Sequence, residues 1–362
     1  PIYDINGEIL FYRLPIRKGN NVIGYTDIAS NPQMNGPVLT VVHGDPWKPN
    51  NLIKEAKQIA KKKSRSLKYD KVRFVAYSFP KVAVQFLRKS KEVLMLELKT
   101  GDVVPSKPAS DKKRNFGFER WSYLDNLDKN VKSKNKRAYN ARIKKWNNLT
   151  NLYKAERKFD FTKLNPALFQ KFAKFKKIKI KFITTSREIK YSPAAGDHAC
   201  YELRSQLTNV WCVAGSVQML LDFYRFNYTQ VRLATDLGLG TLTNPNGLPY
   251  ARVNDVVDVL EDLTSNVLNA TINLSPTYNQ FVQEINANRP LISFITGHSR
   301  TVAGYSFGFS ILGGVSSRLL LVYDPWPPST DGTTNTGGTI TRWENANATP
   351  YYATYTAELN LV

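Results

Sequence analysis

Three residues in the second half of the chain have the types and order needed for acyl transfer through a thiol. Cys212 opens a stretch with apolar residues at helical spacing, so its sulfur would lie at a helix N-terminus, which stabilises a thiolate. His298 stands between two apolar strand patterns and would act as general base and acid. Asp324 ends the next strand pattern and would orient the imidazole by accepting a hydrogen bond from one ring nitrogen.

Gln206 supplies the group that acyl transfer needs for its oxyanion. It lies six residues before Cys212, on the loop that leads into the predicted helix. Its side-chain amide and the backbone N–H of Cys212 would bind the negative oxygen that develops during attack.

Each candidate also has a structural interpretation without chemistry. These interpretations are a buried thiol or a disulfide with Cys200 for Cys212, a satisfied core histidine for His298, a turn residue before proline for Asp324, and a surface position for Gln206.

The sequence predicts no metal site and no organic cofactor. His198 and Cys200 are close in sequence, but two ligands without others nearby do not make a zinc site. His43 and His198 are given no catalytic role.

Residues 191–362, the C-terminal unit, are predicted to hold helices first and strands afterwards. Beyond the helix at Cys212, we expect helices over Thr229–Leu237 and Val253–Leu263, and a further helix with Ser275 as its N-cap. Strand patterns cover 291–297, 301–307, 318–326, 338–343 and 351–359. Asp324 reaches His298 if the second and third of these strands are neighbours.

Residues 1–105, the N-terminal unit, are predicted to form a small α+β fold. They contain a β-hairpin pattern with its turn at 19–21, further strands, and helical spacing over 50–63. Residues 106–190, the linking segment, are rich in lysine and are predicted to be mostly helical. Within them, 171–182 mixes apolar and basic residues, as in a packed strand or a basic amphipathic segment at a membrane surface.

Charge divides the chain near residues 190–196. Residues 1–195 carry 43 Lys and Arg against 16 Asp and Glu, whereas 196–362 have 8 Arg, no Lys and 13 acids. The basic part would complement the acidic part, or contact an anionic polymer or cell surface. No zinc-finger spacing or RRM-type signature supports nucleic-acid binding. No apolar run is long enough to predict a membrane span.

The order of these motifs resembles the papain-like cysteine peptidases, in particular the branch that processes bacteriocin leaders. The resemblance rests on Gln206 before Trp211-Cys212, on His298 followed by Val302-Ala303-Gly304-Tyr305, and on Tyr323-Asp324-Pro325. Residues 234–238 and 288–292 also fit that branch. It covers about 170 residues and implies a helical lobe bearing Cys212 and an antiparallel sheet lobe bearing His298 and Asp324. Arg300 departs from the apolar residue expected near the start of that strand.

The N-terminal unit resembles the prodomains of secreted streptopain-type peptidases. This resemblance implies a zymogen whose prodomain covers the active site and is removed by cleavage between 105 and 196. The expected protein is a secreted or cell-surface endopeptidase acting on proteins or peptides, and five N-x-[ST] triplets agree with export. A silent papain-like module that binds peptides, or a surface protein working through its basic half, are the alternatives.

The absence of lysine after Lys190 adds one further possibility. A peptidase that cuts after lysine would spare its own C-terminal unit and degrade the rest. Compositional drift explains the same pattern and is the preferred interpretation.

Overall fold

The computed structural model describes residues 1–36, 38–106, 115–157, 182–190, 201–310, 315–329 and 340–360. His198, Cys200 and most of the 171–182 stretch lie outside these residues. Among the described residues, no helix is both long and apolar enough to cross a membrane.

The N-terminal unit contains seven strands and one helix. The strands are β1 Ile2–Asp4, β2 Ile9–Lys18, β3 Asn21–Ala29, β4 Val38–His43, β5 Lys71–Ser78, β6 Lys81–Arg88 and β7 Lys91–Glu97. The helix α1, Pro49–Lys63, follows the expected spacing and turns Ala56 and Ala60 inward. The unit thus combines strands with a helix, and its identity as a prodomain stays a prediction.

The linking segment contributes short elements and one long helix. They are β8 Asn115–Phe116, α2 Tyr123–Asn126, α3 Lys129–Arg157 and β9 Phe182–Glu188. The helix α2 is capped by Ser122, whose side chain accepts a hydrogen bond from the Asp125 amide.

The C-terminal unit has helices in its first part and strands in its second. The helices are α4 Cys212–Phe223, α5 Gln230–Asp236, α6 Asp255–Leu263 and α7 Tyr278–Asn286. The strands are β10 Leu248–Pro249, β11 Leu268–Asn273, β12 Leu291–Ile295, β13 His298–Ser310, β14 Val315–Asp324, β15 Ile340–Asn345 and β16 Tyr351–Leu359. This α+β arrangement, with a large mixed sheet, is compatible with a papain-like domain.

One helix start was predicted wrongly. Ser275 was expected to cap α7, but the helix begins at Tyr278, and the Thr277 side chain accepts from the Gln280 amide. The Asn273 side chain instead holds the Ser275 amide in a local turn, which keeps Ser275 outside the helix.

A single sheet runs through both units. Its strand order is β11-β16-β12-β13-β14-β15-β4-β3-β2-β1-β5-β6-β7, and β9 pairs with β13 beside this path. The junction is the antiparallel pair of β15 and β4, in which Trp343 lies opposite Val41. The two units are therefore joined by main-chain hydrogen bonds as well as by side-chain packing.

Candidate active site

Cys212 is the first residue of α4 and is fully buried. Its thiol is free, and Trp211 at the N-cap position offers no side-chain cap to the helix. The backbone N–H groups of Ser299 and Val213 lie close enough to the sulfur to lower its pKa. Ser299 directly follows His298, so this contact brings the start of β13 to the start of α4.

His298 and Asp324 lie on neighbouring antiparallel strands. His298 begins β13, Asp324 ends β14, and Thr301 on β13 pairs with Tyr323 on β14. The Nε2 atom of His298 is 2.6 Å from Oδ1 of Asp324, and both side chains are buried. The other ring nitrogen, Nδ1, has no hydrogen-bond partner among the described residues. One face of the imidazole is thus anchored, and Nδ1 is available for a proton transfer.

Asp324 is in turn fixed by a buried row of charges. Its second oxygen, Oδ2, lies 2.5 Å from Arg342 on β15, and Arg342 also pairs with Glu344. Arg342 and His298 hold the pKa of Asp324 well below its usual range, although burial alone would raise it. The carboxylate is therefore ionised and can accept from the imidazole.

Arg300, which departed from the expected apolar pattern, belongs to the same row. Its guanidinium lies 2.9 Å from Glu344 and is fully buried. Because Glu344 sits between Arg300 and Arg342, it compensates both positive charges. The unexpected arginine thus holds Glu344, which in turn pairs with the Arg342 that contacts Asp324.

Gln206 is buried between α4 and the end of β14. Its backbone N–H donates to Pro325 O at 2.8 Å, and its side-chain Nε2 donates to Thr208 O at 2.6 Å. An amide nitrogen carries two hydrogens, so one N–H of Gln206 is left for a further acceptor. That this N–H stabilises an oxyanion stays a prediction.

Burial sets the protonation of the thiol and the imidazole in this form. Burial raises the pKa of Cys212 to about 11, although Lys81 lowers it in part. Burial also lowers the pKa of His298 to about 4, against the opposing effect of Asp324. At neutral pH both groups are uncharged, so the closed site holds a thiol and a neutral imidazole rather than an ion pair.

Lys81, from the N-terminal unit, reaches this site and was not predicted from the sequence. It is the first residue of β6 and only 5% exposed, and its Nζ lies 4.5 Å from the centre of the Trp326 ring. Its charge acts on both Cys212 and Asp324. With 43 basic residues in the first part of the chain, no local pattern distinguished this lysine.

Further contacts seal the N-terminal unit and the linking segment over the site. Trp121 donates its Nε1–H to Ser78 at 2.7 Å, Asn209 donates to Asp102 at 2.7 Å, and the Tyr123 hydroxyl donates to Ala348 O at 2.7 Å. The basic and acidic parts thus meet through hydrogen bonds and apolar packing, while the ion pairs Arg13–Asp27, Arg120–Glu92 and Arg204–Asp222 each join residues of one part. Overall charge complementarity between the parts stays a prediction.

The described residues contain no cluster of three or more potential metal ligands. Cys200, the disulfide partner in the structural alternative for Cys212, lies outside the described residues, and Cys212 itself is a free thiol.

Comparison with known proteins adds a family match over the C-terminal unit. Residues 200–351 match the Peptidase_C39 like family, a range that includes Gln206, Cys212, His298 and Asp324. No curated protein matches the chain. The family match supports a papain-like cysteine peptidase domain of the C39 type in residues 200–351.

Proposed function

We propose that the chain is the zymogen of a cysteine endopeptidase that hydrolyses peptide bonds in proteins or peptides. The observation that carries this proposal is the buried arrangement of Cys212 at a helix start beside the His298–Asp324 pair. The family match over residues 200–351 supports the same activity. No cofactor is needed, because every group that acyl transfer requires is a side chain or a backbone N–H.

In the proposed reaction, His298 takes the proton of Cys212, and the thiolate attacks the carbonyl carbon of the substrate. The oxyanion is stabilised by Gln206 and by the backbone N–H of Cys212. The imidazolium, held by Asp324, then protonates the leaving amine. Water attacks the resulting thioester and restores the thiol.

The N-terminal unit would keep this reaction slow by burying its two reacting groups. The same burial raises the pKa of Cys212 and lowers that of His298. Removing the N-terminal unit would lower the pKa of Cys212 and raise that of His298, which favours the thiolate–imidazolium pair. We also propose export from the cell, which the N-x-[ST] triplets support.

A lysine-specific endoproteinase gives a selective test. Because the last lysine is Lys190, this reagent cuts the basic part and leaves residues 191–362 without a cleavage site. The full chain is treated with it, the endoproteinase is removed, and labelling of Cys212 by iodoacetamide is then followed together with hydrolysis of unfolded casein. We expect both rates to rise after digestion and casein hydrolysis to be absent in Cys212→Ser and His298→Ala.

Two results would contradict the proposal. Equal slow labelling of both cysteines before and after digestion, without hydrolysis, would indicate the silent peptide-binding module instead. Retention of the undigested chain on heparin, with no thiol-dependent hydrolysis in any form, would indicate that the basic half is the working part.

A further inference from the structure

Residues Asn115–Phe118, here called the cleft segment, run across the site described above. The segment enters as β8, which pairs antiparallel with β10, so that Phe116 lies opposite Leu248 and Asn115 opposite Pro249. Addition of a short strand to an open edge is a common way of binding extended peptides. The cleft segment is therefore held by its main chain in the manner of a bound peptide.

Phe116 anchors the segment in an aromatic pocket of the C-terminal unit. Its ring is fully buried and stacks on Tyr250 at 4.2 Å between ring centres. Phe294 and Tyr352 close the pocket, with ring centres 4.4 and 5.5 Å away. This pocket would select a large aromatic side chain one residue before the one at the thiol.

Gly117 lies next to the reacting groups on both sides. Its N–H donates to the carbonyl oxygen of Gly297, the residue before His298, at 3.1 Å. A Cβ on Gly117 would come within 3.0 Å of Cα of Val210, two residues before Cys212. Gly117 is thus enclosed between the chain just before Cys212 and the chain just before His298.

Only glycine fits at this position. The φ angle of Gly117 is +153°, which residues with a side chain rarely adopt. The nearest atom to an added Cβ belongs to the Val210 backbone, which cannot move aside as a flexible side chain can. A long side chain such as lysine is therefore excluded in this arrangement, which argues against a preference for cutting after lysine.

The carbonyl group of Gly117 contacts a cation whose charge also acts on the thiol. Its oxygen accepts from Nζ of Lys81 at 2.7 Å, and the charge of that ammonium also acts on Cys212. The Phe116 oxygen, by contrast, faces Gly247, where an added Cβ would lie 2.1 Å from it. The two peptide bonds are thereby distinguished. The bond before Gly117 positions the segment, and the bond after it lies beside the reacting groups.

Phe118 continues past the site on its other side. Its ring is parallel to that of Trp326, two residues after Asp324, with 6.2 Å between ring centres. It also packs against Tyr77 of the N-terminal unit. The Gly117–Phe118 bond therefore lies between side chains that are held on opposite sides of the site.

We propose that the Gly117–Phe118 bond is the first bond this enzyme hydrolyses, in its own chain, and that its substrates carry an aromatic residue followed by glycine. The inference rests on the proposed function. The Cys212 sulfur bonds to the Gly117 carbonyl carbon, the bond to the Phe118 nitrogen breaks, and His298 protonates that nitrogen. One water molecule then hydrolyses the thioester, which leaves a carboxylate at Gly117 and an amine at Phe118.

The test follows processing of the full chain during incubation, with N-terminal sequencing of the products. We expect a new N-terminus at Phe118 that is absent in Cys212→Ser. Gly117→Ala should slow its appearance by about tenfold or more, because the added methyl meets backbone. Gly19→Ala is the matched control, since Gly19 also has positive φ but has no atom within 4 Å of an added Cβ.

A peptide assay makes the test independent of how the variants fold. The heptapeptide RNFGFER, which copies residues 114–120, is offered to the chain after lysine-specific digestion. We expect cleavage between its glycine and second phenylalanine, and at least about tenfold slower cleavage of RNFAFER. Replacing the first phenylalanine with alanine should also slow cleavage, whereas tyrosine there should preserve it.

The outcomes separate this inference from the proposed function. Casein hydrolysis that depends on Cys212, with RNFGFER left intact or with processing at another bond, would overturn the inference and leave the peptidase in place. Loss of Cys212-dependent hydrolysis of every substrate, casein included, would overturn the proposed function itself.

Discussion

Two buried carboxylates share Arg342 but have different consequences for chemistry. Asp324 contacts both Arg342 and the imidazole, whereas Glu344 contacts Arg342 and Arg300. Only the first of them is in a position to orient His298. Asp324 and Glu344 are therefore matched in burial and charge but differ in contact with the imidazole.

We expect Asp324→Asn to lower casein hydrolysis by the digested chain by about 10²- to 10⁴-fold. The negative charge of Asp324 raises the pKa of His298, so the acid limb of the pH–rate profile should move to lower pH in this variant. Glu344→Gln should reduce the free energy of unfolding, because it leaves buried arginines less compensated, yet keep the position of the acid limb. Equal shifts of the acid limb in both variants would contradict the orienting role.

Lys81 is the second residue whose removal gives a specific prediction. Its ammonium donates to the Gly117 oxygen, on which negative charge develops during the proposed self-cleavage, so Lys81 would add to the stabilisation proposed for Gln206 and the Cys212 N–H. Lys81→Met should slow the appearance of the Phe118 N-terminus by about 10²-fold, the usual cost of losing an oxyanion donor. Hydrolysis of RNFGFER by the digested chain should be unchanged, because the N-terminal unit has then been removed.

Lys71→Met serves as the control for this prediction, because Lys71 is an exposed lysine on the neighbouring strand β5. Self-cleavage at the same rate in Lys81→Met and Lys71→Met would show that the ammonium has no part in the reaction.

At the start of α7, the cap indicated by the sequence pattern differs from the cap found in the structure. The Thr277 side chain accepts from the Gln280 amide, whereas Ser275 lies in the preceding turn. Thr277→Ala should therefore lower the free energy of unfolding by about 1 kcal/mol, the usual cost of a lost N-cap. Ser275→Ala should change it by less than about 0.5 kcal/mol, and urea unfolding of the two variants measures both values. A larger loss of unfolding free energy in Ser275→Ala than in Thr277→Ala would restore Ser275 as the cap.

Local patterns predicted elements and their order, but not the contacts between distant parts of the chain. The helix at Cys212 and the strands bearing His298 and Asp324 followed from spacing alone, because amphipathic periodicity reports which face is buried. Lys81 reaches the site only because the β5–β6 hairpin meets Trp326. The position of Gly117 likewise depends on a hydrogen bond to Gly297, 180 residues further along the chain, and that of Arg342 on the neighbouring strand that carries Asp324; such contacts leave no local periodicity.

In the whole molecule, the N-terminal unit that covers the site shares one continuous sheet with the C-terminal unit. The β4–β15 junction extends the sheet of the C-terminal unit into the N-terminal unit. Cleavage after Gly117 would release one covalent connection, but the main-chain hydrogen bonds of this junction would still hold the cover. Activation would then need a second event, separation of β4 from β15, so a nicked chain should persist before it becomes fully active.

The last prediction concerns the pH dependence of this closed body. The pKa of His298 is lowered to about 4 in the folded chain, against about 6.5 when the chain is unfolded. A group whose pKa is lowered by folding binds its proton more readily in the unfolded chain. Its contribution to stability is therefore complete above about pH 6.5 and is lost as the pH falls toward 4.

We expect the free energy of unfolding to fall by about 3 kcal/mol more in the unmodified chain than in His298→Gln between pH 7 and pH 4. Glu97 has the opposite effect, since burial raises its pKa to about 7, so only the difference between the two chains isolates His298. Urea unfolding at both pH values gives that difference, and His43→Gln, which replaces an exposed histidine, is the control. Parallel losses in the unmodified chain and His298→Gln would mean that His298 is not held neutral by burial, and the account of latency given above would fail with it.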